Sequence, residues 1–331
     1  MGDRGLAGTP GLTTVGAALR LASAALEAAG VGAPRREADE LYAALVHGAT
    51  SAAWAERERP LSGEGLAFLA QAVARRAAGE PQAYATGWAN FRGHWLRVDE
   101  RVLIPRPETE GLVEVVLAWA RVRGAREDGA RKSGAPRGGA PQTGASVGGA
   151  RSGGRVAGSA ALVGVDVGTG SGAVAVALAL EGPFARVVAL DRSAAALEVA
   201  RANVEALGLA PRVRCLRGDL LEPLAPGAVD VVASNPPYIA TLELVDLERS
   251  VRDFEPLVAL DGGPDGLTPT RRLAAAARGV LTPGGLLALE VDSRRARETA
   301  ALVRETGFVD VAVRNDLFER PRYVTALQPG E

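Results

Sequence analysis

The sequence predicts an α/β protein, a parallel sheet flanked by helices and preceded by a small helical bundle. Three observations carry this expectation. From about residue 161 onward, short runs rich in β-branched residues alternate with stretches whose apolar residues recur at helical spacing, the pattern of strands joined by crossover helices. Directly after the first of these runs stands Asp166-Val167-Gly168-Thr169-Gly170-Ser171-Gly172, a glycine-rich turn between a strand and the apolar run of a helix. The first eighty or so residues are instead rich in alanine and show helical spacing alone.

Taken in order, Leu19, Ala22 and Leu26, then Leu41 and Leu45, then Leu66, Leu69 and Val73 each put apolar residues on one helix face. Residues 1–82 read as a helical packing or docking domain without chemistry of its own. From Tyr84 to Ile104 the pattern changes to aromatic and β-branched residues punctuated by Gly87, Gly93 and Asp99, which predicts a hairpin linker over 83–104. A third unit, 105–331, opens with a helix through Leu112, Val115, Val116 and Trp119. It is interrupted at about 123–160 by a segment of Gly, Ala, Ser, Pro and Arg with no periodic apolar residues, expected to be a disordered insertion. Its arginines and lysine permit a weak electrostatic contact with RNA or the ribosome, alongside the simpler reading of a solvated loop.

Strands are expected at Ala161 to Val167, Arg186 to Leu190, Val213 to Arg217, Val229 to Ser234 and Leu286 to Val291. Ser193 is placed to cap a helix whose Leu197, Ala200, Val204 and Leu207 share a face, with Gly208 to end it. Phe308 to Val313 and Tyr323 to Leu327 add an edge hairpin. Open sheets of this kind bind ligands beyond the carboxyl ends of their strands.

Composition removes several classes. With 38 basic and 39 acidic side chains the net charge is −1, so no global field draws in nucleic acid or an anionic membrane. A single cysteine, Cys215, fits a reducing, cytoplasmic setting. The N-terminus carries Asp3 and Arg4 without the charged-then-apolar pattern of a secretory leader, so none is expected, and the apolar stretch around Asp166 is broken by that acid and by glycines. His47 and His94 lack partners at ligand spacing, so no metal is expected, and no serine sits in a G-x-S-x-G elbow followed by a histidine. No heptad pattern argues against a monomer.

Chemistry is carried by three segments. The glycines Gly168, Gly170 and Gly172 let the backbone approach a ligand, which can be the pyrophosphate of a dinucleotide or the methionine portion of S-adenosyl-L-methionine. Asp191, ending the next strand, can accept hydrogen bonds from both ribose hydroxyls of an adenosine. The G-x-G-x-G spacing and a further acid, Asp219, able to hold an adenine amino group or simply to form a turn, lean away from a dinucleotide. The third segment, Asn235-Pro236-Pro237-Tyr238, follows a strand at the ligand edge of the sheet. An amide nitrogen is a poor nucleophile because its lone pair is delocalised. Acceptors such as the Asn235 side-chain oxygen and the Pro236 carbonyl can hold its two hydrogens, with Tyr238 packed on the amide plane and the prolines stiffening the loop.

These residues resemble the HemK family, the release-factor glutamine methyltransferases. Asn-Pro-Pro-Tyr also occurs in adenine-N6 DNA methyltransferases and ribosomal-protein glutamine methyltransferases. Ile104-Pro105-Arg106-Pro107-Glu108-Thr109-Glu110, preceded by Tyr84, Gly87 and Phe91, is similar to the release-factor branch, and Arg252 to Pro256 and Gly263 to Gly266 match the family's later loops. The resemblance implies a class I, seven-stranded, Rossmann-like methyltransferase domain that uses S-adenosyl-L-methionine. It implies that Gly168, Thr169, Gly170, Ser171, Gly172, Asp191, Asp219, Leu220 and Asn235 line the cofactor, and that Asn235, Pro236, Pro237 and Tyr238 hold the substrate. Phe91, Arg106 and Glu110 would shape or brace the pocket, with Phe91 and Arg106 also expected to touch the substrate, although Arg106 and Glu110 can equally form a structural ion pair. The implied reaction is methylation of glutamine N5 in the Gly-Gly-Gln loop of a peptide chain release factor. Another protein glutamine, adenine in DNA, a non-catalytic adaptor for the release factor and, last, an NAD oxidoreductase are the alternatives. Two positions depart from the family pattern: Leu220, where some members carry an aromatic residue, and Glu290-Val291-Asp292, where an acid followed by glycine is more usual.

Overall fold

A computed structural model describes residues 13–132 and 162–330. The chain opens with α1 (Val15–Ala28), α2 (Pro34–Val46), the single turn α3 (Ala52–Ala55), α4 (Gly63–Ala77) and α5 (Gln82–Thr86). Local chemistry starts these helices: the Thr14 hydroxyl accepts from the Ala17 amide, the Ser62 hydroxyl accepts from the Gly65 amide, and Pro34 occupies the first turn of α2. Leu19, Ala22, Leu26, Leu41, Leu69 and Val73 meet in one buried core, with Leu45 and Leu66 at its rim. Tyr84, expected in the hairpin, lies in α5, where its hydroxyl donates to the Val102 carbonyl at 2.5 Å.

The hairpin itself is β1 (Trp88–Phe91) and β2 (His94–Arg97), antiparallel. Arg92 (φ 53°) and Gly93 (φ 80°) turn it in the doubly left-handed conformation that matches strand twist. The next helix, α6 (Pro107–Lys132), buries Leu112, Val113, Val116, Leu117 and Ala120. It continues past residue 123, where the insertion was expected to begin; residues 133–160 of that expected insertion lie outside the described residues.

The remaining elements are β3 (Leu162–Val167), α7 (Ala173–Glu181), β4 (Phe184–Asp191), α8 (Ala194–Ala206), β5 (Val213–Arg217), β6 (Val229–Ser234), α9 (Arg249–Arg252), α10 (Thr268–Val280), β7 (Leu281–Glu290), α11 (Ala296–Glu305), β8 (Val309–Asn315) and β9 (Pro321–Leu327). They form a seven-stranded sheet in the order β5-β4-β3-β6-β7-β9-β8. The first five strands of that order are parallel, and β9 runs antiparallel between β7 and β8. This is the α/β sheet with a helical N-terminal region that the sequence predicts. One face packs against α6, α7 and Phe91, the other against α10 and α11. β7 starts at Leu281, five residues before the expected Leu286, through Pro283-Gly284-Gly285. A Cβ on Gly285 would stand 2.8 Å from the Thr282 carbonyl and 3.1 Å from that of Asp230, so this glycine permits a close backbone approach that side-chain alternation cannot reveal.

Chain order leaves β3 toward β4 on one side and reaches β6 on the other. The sheet therefore reverses direction between β3 and β6, and a crevice opens at their carboxyl ends. Among the described residues no helix is long and apolar enough to cross a membrane.

Candidate active site

The glycine loop is held from below by Asp166. This residue is 2% exposed, and its Oδ2 accepts from the Thr169 hydroxyl at 2.6 Å and the Ala175 amide at 3.1 Å. Burial pushes its carboxyl up to about 7 against the pull of those two bonds. The Gly168 and Thr169 amides donate to the Leu190 carbonyl at 2.8 and 3.0 Å, so the loop is wrapped onto the end of β4. Gly168 and Gly170 adopt positive φ, and no atom lies within 4 Å of where a Cβ on either would stand. The loop thus leaves an open cradle that a ligand can enter closely. Thr169 and Ser171 are buried, and Gly172 backs onto Ala200 of α8, so these three shape the cradle from behind.

Asp191 uses both oxygens on the backbone: Oδ2 accepts from the Gly170 amide at 3.0 Å and Oδ1 from the Ser193 amide at 2.9 Å. Each carboxylate oxygen has a second lone pair, so the pair remains able to accept two hydroxyls from the cleft. Asp219 meets Arg272 of α10, with Nη2 2.6 Å from Oδ2, and Leu220 beside it takes φ 51°.

The Asn235–Tyr238 segment is fixed at both ends. Before it, the buried Ser234 hydroxyl donates to the Val167 carbonyl at 2.7 Å, tying the end of β6 to β3. After it, the Ile239 amide donates to Leu260 at 3.1 Å and its carbonyl accepts from Gly262 at 2.7 Å. Gly266 lies so close that a Cβ there would stand 2.5 Å from the Tyr238 carbonyl. Asn235 Nδ2 donates to the Thr109 hydroxyl of α6 at 3.1 Å, which turns Oδ1 away from that partner. Pro236 is buried, and burial followed by the Glu290 charge pushes the Tyr238 phenol up to about 12, so it stays neutral.

A cleft of about 320 Å³ joins these parts at the carboxyl ends of β3, β4 and β6, with Gly168, Gly170, Asp191, Leu220, Asn235 and Pro237 on its walls. Asp219 and Pro236 also line it, whereas Tyr238 does not. A larger hollow of about 770 Å³ lies at the opposite end of the sheet, against Val163, Arg186 and Arg212; no residue expected at the site faces it.

Two expectations need correction. Phe91 is 1% exposed in the core beneath α6, with no cleft surface, because the hairpin folds it inward against the sheet's helical layer. Arg106 does not pair with Glu110. It pairs with Glu255, whose side chain is 1% exposed and whose Oε2 also accepts from the Ile104 amide at 3.2 Å. Glu110 Oε1 instead accepts from the Arg92 amide at 3.0 Å. Arg106 therefore braces the Ile104-Pro105-Arg106 segment against the loop after β6, outside the cleft walls. Asn203 was missed altogether. Its Nδ2 donates to the Ser171 carbonyl at 2.8 Å and the Arg97 carbonyl at 3.0 Å, and its Oδ1 accepts from the Arg97 amide at 2.7 Å. A polar residue beside Ala200 and Val204 on an apolar helix face was the available signal.

Residues 17–87 match a family profile described as PrmC N-terminal domain, and residues 158–249 match one described as Methyltransferase small domain. A release factor glutamine methyltransferase of Bordetella pertussis is 41% identical over 289 residues, covering 86% of this chain and 92% of the relative. Its counterpart in Mycolicibacterium smegmatis is 37% identical over 316 residues, covering 95% and 98%. The one in Cereibacter sphaeroides is 36% identical over 315 residues, again covering 95% and 98%.

Proposed function

The chain belongs to the release factor glutamine methyltransferase family, and we propose that it methylates the side-chain amide nitrogen (N5) of the glutamine in the Gly-Gly-Gln loop of a peptide chain release factor. The carrying observation is that Asn235 stands in the same cleft as the glycine cradle and Asp191, with its amide already turned by Thr109. The residues fit S-adenosyl-L-methionine: Gly168 and Gly170 leave room for close backbone approach, Asp191 has lone pairs for ribose hydroxyls, and Asp219 and Leu220 flank the place for the adenine. When bound, the cofactor supplies a methyl group on a sulfonium, a good leaving group, so the chain needs no strong base.

The protein's task is to hold a weak nucleophile in line. Asn235 Oδ1 accepts one hydrogen of the substrate amide and the Pro236 carbonyl accepts the other, which favours a more pyramidal nitrogen. Tyr238 does not line the cleft, so the packing on the amide plane expected of it finds no support in this geometry. One amide proton leaves to solvent after the new N–C bond has formed. Leu242, Val245, Leu257 and Val258 stay exposed on the segments following the active-site loop, and Val258 lines the cleft, which favours a protein substrate over a small molecule. We place the reaction in the cytoplasm, with the enzyme as a monomer that needs neither membrane nor specific nucleic acid.

The test is transfer of labelled methyl from S-adenosyl-L-methionine to purified release factor, beside a factor with the Gly-Gly-Gln glutamine replaced and beside adenine-containing DNA. Label on the unaltered factor alone is expected. Label on DNA, or on the replaced factor, would move the function to another nitrogen.

A further inference from the structure

Glu290 closes β7, one residue beyond Leu289, which pairs with Ser234 at the end of β6. It is 1% exposed, and neither carboxylate oxygen has a hydrogen-bond partner. A buried carboxyl without a partner is costly and calls for an explanation.

The groups around it come from three directions: Arg106 just before α6 and Glu108 and Thr109 in its first turn, Tyr238 after β6, and Arg322 and Tyr323 from β9. Most of these are engaged elsewhere. Arg106 pairs with Glu255, the Tyr323 hydroxyl donates to the Glu108 carbonyl at 2.6 Å, and Arg322 Nη1 donates to the Val291 carbonyl at 3.2 Å. Thr109 differs: its hydroxyl accepts from Asn235 Nδ2, and its own proton has no assigned acceptor. The Thr109 hydroxyl favours the charged form of Glu290, yet neither oxygen meets full hydrogen-bond geometry.

We propose that Glu290 is a positioning residue, which fixes the Asn235 amide through the Thr109 hydroxyl so that Oδ1 faces the substrate nitrogen. The proposal rests on the reading of the cleft as a glutamine amide site. A hydroxyl carries one proton and two lone pairs. When the Glu290 carboxylate accepts a hydrogen bond from the Thr109 hydroxyl, Oγ1 can only accept from Asn235, so Nδ2 must point to Thr109 and Oδ1 is left for the substrate. When Glu290 is neutral, its own O–H can donate to Thr109, and the Thr109 proton is free to turn toward Asn235. The amide then gains reason to flip and to present N–H groups to an incoming N–H₂, donor against donor.

Burial, opposed by Thr109, raises the Glu290 carboxyl to about 7. Among the facing charges Arg322 and Arg106 pull it down and Glu108 pushes it up. Turnover should therefore fall as pH drops through about 7.

Thr109→Val, Glu290→Leu and the double variant separate this from a packing role. Each single change is expected to lower kcat for release-factor methylation roughly tenfold, the scale of one lost hydrogen bond, with cofactor affinity unchanged. The double variant should be no slower than the slower single, because both interrupt one relay. Thr109→Ser, which keeps the hydroxyl, should recover most of the rate. Additive losses would overturn the proposal, as would full kcat in Glu290→Leu, which removes the acceptor that a glutamine amide could still offer Thr109. A second readout needs no substrate: the Asn235 side-chain NH₂ resonances should shift with pH near 7 in the unaltered enzyme and not in Glu290→Gln. Equal pH response in both proteins would also overturn it, whereas an enzyme inactive on release factor but showing this difference would count against the function alone.

Discussion

Two buried carboxyls, Asp166 and Glu290, are both raised to about 7, and they tie the stability of the fold to pH. A carboxyl raised in the folded state holds a proton there that the unfolded chain has already released. Its favourable contribution is complete below the ordinary value near 4 and is lost as pH rises through about 7. For Glu290 the effect is on the order of 3 kcal/mol, larger than the roughly 1 kcal/mol that the Thr109 contact weakened by its replacement would contribute. Glu290→Gln should thus be more stable than the unaltered chain at pH 8 and nearly equal to it at pH 4.5, measured by urea unfolding. A difference independent of pH would contradict this. At this scale the spacing after strands marks Asn235, Pro236, Asp191, Gly168 and Gly170 in the sequence, and the structure brings them to one cleft. Arg106 and Phe91 misled because a motif marks that a residue matters without showing whether it faces ligand or core. The Arg106 partner, Glu255, lies far along the chain, and no local pattern links the two.

The elements were legible where burial imposes a period. β5 and β6 run over the residues that alternation marks, and Ser193 caps α8 as read, its hydroxyl accepting from the Ala196 amide at 3.1 Å. The discrepancies have physical causes. α6 continues to Lys132 although apolar periodicity ends near Ala120; the alanine, arginine and glutamate of its last stretch are good helix formers. β7 begins within a proline-glycine segment that reads as a turn. Between these elements, the Gly262–Gly266 loop buttresses the active-site segment. Gly266 combines φ +74° with the closeness of the Tyr238 carbonyl. Gly266→Ala should cost roughly 1–3 kcal/mol in strain and lower methyl transfer more than cofactor binding. Thermal unfolding and cofactor titration check this, and unchanged turnover would show that the buttress is dispensable.

Across the whole molecule, the hairpin is stitched to the sheet domain by a few long-range bonds. Asn203 joins Arg97 of β2 to Ser171 of the glycine loop. Arg92 at the hairpin turn meets Glu114 of α6 and Glu181 of α7. Asn203→Ala leaves buried donors and acceptors unpaired, and should cost about 2–4 kcal/mol and loosen the cradle, with weaker cofactor binding. Stability loss with unaltered cofactor affinity would confine Asn203 to packing. Sheet and cleft position followed from chain order and the glycine turn. The stitching did not, because it depends on side chains that meet only after folding.

The account as a whole turns on Asn235 holding the substrate amide. Its most direct test compares Asn235→Ala with the unaltered enzyme for cofactor affinity by calorimetry and for methyl transfer to release factor. Cofactor affinity within about threefold and transfer reduced at least a hundredfold is the predicted result. Transfer that persists, or affinity and transfer lost together, would contradict the role assigned to this residue.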